Sequence, residues 1–98
     1  MIQSFATQGT EDIYHGANSK QARNTLPSNL YASARRKLDM IDAAVDVKDL
    51  REPPGNRLEA LKGNFDGMYS IRINDQWRII FRWTIKGAED VEIIDYHK

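Results

Sequence analysis

Cysteine is absent from the chain, so it has no disulfide framework and no thiolate metal site, and a reducing, cytoplasmic compartment is its default home. Histidine is nearly absent: His15 and His97 stand far apart and leave little from which to assemble a zinc centre. Neither a metal nor an organic cofactor is expected. No apolar run approaches the roughly 18 residues of a membrane span. Met1-Ile2-Gln3-Ser4-Phe5 also lacks both the basic and the apolar stretch of a secretory signal. Net charge is missing as well. The 14 Lys plus Arg balance the 14 Asp plus Glu, which argues against generic polyanion binding, a property that rests on a surplus of cations spread over one face.

What is present is the composition of an ordinary globular domain, 41% hydrophobic and 29% charged over 98 residues. That is too apolar for disorder and enough for two packed layers around one core, so residues 1–98 are read as a single domain. The charge is unevenly placed. From Met68 to Lys86, Arg72, Arg78, Arg82 and Lys86 face Asp75 alone, while Glu89, Asp90, Glu92 and Asp95 face Lys98 in the segment that follows. A small basic site inside a neutral protein is compatible with that separation.

The first half reads as helical. Ile2 to Thr7 is a short strand candidate, and Thr10, ahead of Glu11 and Asp12, is the expected N-cap of a brief helix ending near Gly16. Residues 15–27 carry almost nothing to bury and read as an exposed, mobile connector. Leu30, Ala34, Leu38, Ile41 and Val45 then recur at helical spacing and predict a helix over Ser28 to Ala44, with Arg35, Arg36, Asp39 and Asp42 on its other side. Pro53-Pro54 ends helical structure, because proline removes a donor and bars the preceding residue from the helical region.

Beyond the prolines the period changes to two. Arg57 to Leu61 is a short strand candidate, Gly63 to Gly67 a turn, and Val91 to His97 a closing strand. Between them Tyr69, Ile71 and Ile73 alternate with polar residues, as do Trp77, Ile79, Phe81 and Trp83 with Arg78, Ile80 and Arg82. Helices first and an antiparallel meander afterward make an α+β arrangement, with Trp77, Trp83 and Tyr31 assigned to the core.

A three-residue loop, Asn74-Asp75-Gln76, aligns this hairpin so that Ile73 faces Trp77, Ile71 faces Ile79 and Tyr69 faces Phe81. The same register sets Arg72 opposite Arg78. Like charges directly across a ladder are destabilising by up to about 1 kcal/mol, which folding alone does not explain. Two readings follow: the arginines pair with acids of neighbouring strands such as Glu92 or Glu59, or their guanidinium forks hold a phosphate. Lys62, before Gly63, would add a third cation, and Arg57 and Arg82 extend the set of candidate phosphate contacts. At the carboxyl end, Asp95, Tyr96 and His97 supply a carboxylate, a phenol and an imidazole in succession. The imidazole titrates near neutrality and suits proton transfer.

Several blocks carry a family likeness over nearly the whole length. They are Met1-Ile2-Gln3-Ser4-Phe5, Pro53-Pro54-Gly55-Asn56-Arg57-Leu58-Glu59-Ala60-Leu61-Lys62-Gly63, Ser70-Ile71-Arg72-Ile73-Asn74-Asp75-Gln76-Trp77-Arg78-Ile79-Ile80-Phe81 and the terminal Asp95-Tyr96-His97. In these the chain resembles the HigB/GraT branch of the RelE-like toxins of bacterial toxin–antitoxin pairs. The resemblance implies an N-terminal strand and two helices packed on a curved, mainly antiparallel sheet. It implies a ribosome-dependent endoribonuclease acting on messenger RNA, a partner antitoxin of the HigA kind with a helix-turn-helix domain, and operator DNA bound only through the toxin–antitoxin complex.

Position by position, the resemblance matches Lys62 and Arg78 to basic residues around the scissile phosphate and Asp95, Tyr96 and His97 to the terminal catalytic group. Glu59 stands where relatives carry a histidine, and Asn74 falls near a family arginine that Arg72 replaces from two residues away. RNA brings its own nucleophile in the 2′-OH, so a base, an acid and cations around one phosphate suffice without metal. Glu59 or Asp95 is the candidate base, His97 the acid, and Tyr96 the group that stacks on or orients the nucleotide. The competing class is a non-catalytic binding module that acts with the antitoxin as a transcriptional co-repressor.

Overall fold

Caps and close packing decide where the helices lie. In the computed structural model, which describes residues 1–96, the Thr7 hydroxyl accepts the Thr10 amide at 3.3 Å and caps α1 (Gln8–His15), which Gly16 closes in the left-handed region at φ 79°. The sequence places this cap at Thr10. Thr10 is instead fully buried, its hydroxyl paired with Thr7 and accepting the Ile93 amide at 3.1 Å, so contact with the sheet overrides its capping preference.

The connector expected over residues 15–27 contains a second helix, α2 (Lys20–Thr25), capped by Ser19. Its packing needs no apolar stripe. A Cβ at Gly9 would lie 1.9 Å from Thr25 Oγ1 and 2.6 Å from Gln21 O, so the missing side chain lets α2 approach α1 closely, with Ala22 fully buried. A tight turn at Ser28–Leu30 leads into α3 (Tyr31–Ala43), whose Ala34, Leu38 and Ile41 are fully buried as the spacing predicts. Val45 is not part of that stripe: the chain becomes extended at Ala44, which leaves Val45 90% exposed. Arg35 Nε donates to Ile13 O at 3.1 Å and ties α3 to α1. No helix among the described residues is long and apolar enough to cross a membrane.

Among the described residues an antiparallel sheet of four strands runs in the order β1 (Glu59–Ala60), β2 (Met68–Arg72), β3 (Trp77–Thr84) and β4 (Gly87–Asp95). β1 is shorter than the predicted Arg57 to Leu61 strand, and β4 begins at Gly87, ahead of the predicted Val91. The amino-terminal segment does not make a continuous strand. It lies parallel to the outer edge of β4 through isolated bridges, Ile2 with Ala88 and Phe5 with Val91. Its Ser4 hydroxyl receives the Asp90 amide at 2.9 Å where Asp90 adopts φ 54° and the register of β3 and β4 shifts.

The β2–β3 hairpin has the register read from the sequence: Tyr69 pairs with Phe81, Ile71 with Ile79 and Arg72 with Arg78. Asn74 builds the turn, its side-chain oxygen accepting the amides of Gln76 at 2.9 Å and Trp77 at 2.8 Å. One face of the sheet, carrying Ile71, Ile79, Phe81 and Ile93, packs against Ile13 of α1 and Leu38 and Ile41 of α3. Tyr31 is buried, and Trp77 and Trp83 pack at the margin of this core.

Candidate active site

Alternation along β2 and β3 sends Ser70, Arg72, Arg78 and Ile80 to the face opposite the helices, and β1 brings Glu59 into register with Ser70 on that side. Arg78 is the centre of the arrangement. Its side chain is only 7% exposed, and a guanidinium so buried must find partners for its donors. Nε donates to Ser70 Oγ at 2.9 Å, and Nη2 donates to the carbonyls of Arg57 at 2.7 Å and Ser70 at 3.4 Å. Glu59 Oε1 lies 3.3 Å from the same Nη2, and the guanidinium carbon sits 5.2 Å from the centre of the Tyr96 ring. Backbone amide Tyr96 N donates to Gln76 O at 2.7 Å and holds that ring at the end of the sheet.

Arg57 takes part through its backbone. Its φ of 47° puts a non-glycine residue in the left-handed region, a conformation that costs on the order of 1–2 kcal/mol, and its carbonyl receives Arg78 in that conformation. Lys62 immediately precedes the turn at Gly63–Phe65, where Gly63 has φ 67°. Lys62 and Tyr96 line a cavity of about 270 Å³ with Leu61, Phe65, Ile80 and Ile94, beside Arg78 on the same face. The site thus combines a fixed guanidinium, a carboxylate in contact with it, a second cation and an aromatic plane next to an apolar recess. Those are the elements needed to hold a phosphodiester and seat a flanking base.

Of the remaining sequence candidates, Arg72 adjoins the site and Arg82 and Asp95 do not. Arg72 is opposite Arg78 as predicted and pairs with Asp75 of the turn. Each arginine therefore has a carboxylate, Glu59 for Arg78 and Asp75 for Arg72, which relieves the repulsion expected across the ladder. Arg82 shares the face but lies about 13 Å further along the strand, four residues at roughly 3.3 Å each, and is 3.7 Å from Asp90. Asp95 is in register with Trp77, so the pleat turns its carboxylate to the helix side of the sheet, where it accepts from Gln76 Nε2 at 3.0 Å. It is not brought together with Arg78. His97 lies outside the described residues. Among the described residues no group of three or more His, Cys, Asp or Glu side chains is placed to hold a metal ion.

Sequence reasoning missed two contributors. Ser70 is fully buried beneath Arg78, and its signal was available, since a serine between Met68 and Arg72 on the polar register of β2 has little other use. The Arg57 carbonyl had none, because Gly55-Asn56 announces a turn without saying which residue will turn left-handed.

A family model described as the RelE-like toxin of the type II toxin–antitoxin system HigB matches residues 3–97. A protein of Vibrio cholerae serotype O1 named toxin HigB-1 is 47% identical over 98 residues, covering 100% of this chain and 99% of that protein. An uncharacterised Haemophilus influenzae protein is 50% identical over 71 residues, 72% of this chain and 70% of its own. The endoribonuclease HigB of Proteus vulgaris is 28% identical over 97 residues, 99% of this chain and 100% of its length.

Proposed function

Because this chain belongs to the HigB-like toxin family of type II toxin–antitoxin systems, we propose that it is an endoribonuclease that cuts messenger RNA on the ribosome in the cytoplasm. Its antitoxin, the partner that the family implies, is then of the HigA kind, with a helix-turn-helix domain that carries the complex to operator DNA. The observation that carries the reading is the immobilised, buried Arg78 with Glu59 at 3.3 Å and the Tyr96 ring over it.

In the reaction the 2′-OH of the message attacks the adjacent phosphorus while the 5′ oxygen of the next nucleotide leaves. Glu59 takes the 2′ proton. It is preferred to Asp95 because it touches Arg78, whereas Asp95 accepts from Gln76 on the other side of the sheet. Arg78, with Lys62 and Arg72, neutralises the charge that grows on the phosphoryl oxygens, and its fixed position means that no reorganisation is needed as that charge develops. Tyr96 stacks on the nucleotide, His97 returns a proton to the leaving oxygen, and Arg57 contacts the backbone alongside. The products are a 2′,3′-cyclic phosphate, or the 3′ phosphate that its hydrolysis gives, and a 5′-hydroxyl.

Primer extension on messages from induced cells tests this. The wild-type toxin gives discrete cuts and Arg78→Ala gives about 10²–10³-fold fewer, the size expected for one well-aimed donor. Cuts at undiminished frequency in Arg78→Ala would refute the site. Absence of cuts from the wild-type protein would leave the co-repressor reading in its place.

A further inference from the structure

Arg78 is held from beneath by a loop that has its own anchor. Asn56 is fully buried, and its amide is engaged at both ends. The side-chain oxygen accepts Lys37 Nζ of α3, and the nitrogen donates to Leu50 O at 3.2 Å and Glu52 O at 3.4 Å. Leu50 lies in the last turn of a 3-10 helix (Val47–Arg51) and Glu52 follows its end, where carbonyls are left without helical partners and need one when buried. The turn closes on itself through Asn56 N to Pro53 O at 2.9 Å and Arg57 N to Pro54 O at 3.1 Å. The carbonyl of Arg57, the residue after Asn56, lies 2.7 Å from Arg78 Nη2. The link from α3 to the guanidinium therefore runs through the Lys37–Asn56 hydrogen bond, the covalent step from Asn56 to Arg57, and the bond from Arg78 Nη2 to the Arg57 carbonyl. Lys37 itself has its pKa held below the usual lysine value, chiefly by burial and then by Arg36 and Arg72.

We infer that Asn56 is a positioning residue for Arg78: by clamping the loop at residues 50–57 to α3 it sets the Arg57 carbonyl, and with it the direction of the Arg78 guanidinium. The alternative, a buried amide that only stabilises the loop, predicts loss of stability without any specific link to Arg78. The catalytic consequence rests on the reading of Arg78 as the phosphate-binding group, whereas the structural consequence does not. A displacement of about 1 Å at a positioned group is enough to cost a reaction roughly 10²-fold.

The test uses the full chain with Asn56→Ala and the near-isosteric Asn56→Asp, which keeps an acceptor for Lys37 and loses the donor to Leu50 and Glu52. Two quantities are read below the melting temperature: solvent exchange of the Arg78 Nη2–H, the donor to the Arg57 carbonyl, by NMR, and the single-turnover rate of cleavage of ribosome-bound message. Expected are Arg78 exchange faster by at least about tenfold and a cleavage rate lower by about 10–100-fold. The ribosome concentration giving half-maximal rate should stay within about twofold of wild type, as for a group that acts at the chemical step. In an Arg78→Lys background, which keeps one cation at the site, the Asn56 substitutions should add less than about twofold, since residues acting as one unit are not additive. If Asn56→Ala does not fold, Asn56→Asp alone decides. Unchanged Arg78 exchange, or a loss that multiplies fully with Arg78→Lys, overturns the inference. Full activity of Arg78→Ala would overturn the functional reading instead and leave the NMR measurement to decide this one.

Discussion

Over Arg78 to Phe81 the two faces of β3 are almost equally buried and are held by different physics. Ile79 and Phe81 are 0% exposed and Arg78 only 5%. The helix side gains stability from apolar area, a non-directional quantity that many side chains satisfy, at about 1.5–3 kcal/mol for each large residue withdrawn from water. The other side must satisfy Arg78 donor by donor, from Ser70, the Arg57 carbonyl and Glu59. Burying one partner of such an ion pair adds little net stability, because desolvation of the guanidinium offsets the attraction to the half-exposed Glu59. The contrast teaches that the helix face stabilises the fold, while the opposite face uses part of that stability to keep one cation in a fixed direction.

Substitutions on the two faces should therefore fail in different assays. The largest effect expected on the helix side is Phe81→Ala, at about 3–5 kcal/mol of unfolding free energy, read by urea titration. Protein that remains folded should still cleave, and a folded but inactive variant would break the division between faces. On the opposite side Glu59→Gln should lower cleavage by at least about 10²-fold, the lower end for a general base. Its urea midpoint should move little, because the side chain is half exposed and the amide keeps an acceptor near Arg78. A wild-type rate would move the base elsewhere.

Smaller effects sharpen the boundary. Arg82→Ala removes a half-exposed partner of Asp90 and should change stability by less than about 1 kcal/mol, with cleavage nearly unaltered. A large loss of activity would extend the site along the strand. The smallest effect concerns acid. Hydrogen bonds from Ser19 and Gln8 hold the Asp12 carboxyl below its ordinary value of 3.8. Its folded pKa is thus lower than its unfolded one, so the stabilisation is present above pH 3.8 and fades as pH falls through the folded value. Urea titrations of wild type and Asp12→Asn should differ in slope against pH only in that acid range, and equal slopes would remove the assigned bonds.

The hairpin was readable because period-two alternation joined to a short loop admits one register that buries both apolar rows. That register alone put Arg72 across from Arg78 and both on the polar side. The same rule, applied to β4, turns Asp95 away from Arg78, but the sequence did not show where β4 begins relative to β3, and the irregularity near Asp90 leaves no local mark. Thr10 as a cap and Val45 in the helical stripe failed for related reasons. Both are sound local preferences, overridden by the Ile93 amide in one case and by the turn at Ala44 in the other. The α2 helix escaped notice because its packing rests on a missing side chain at Gly9, which no pattern of apolar residues reveals.

Periodicity, punctuation by Pro53-Pro54 and the short Asn74 loop were enough to specify an α+β chain, its main apolar face and the arginine that faces the other way. They are short-range properties, set by the repeat of the backbone and visible within a dozen residues. Which groups surround that arginine is a matter of chain segments far apart in sequence: Glu59 from β1, the left-handed Arg57 carbonyl, Asn56 tied to α3, and Tyr96 from the far end. A buried cation accepts only partners at fixed distance and angle, and those are set when the distant segments pack together.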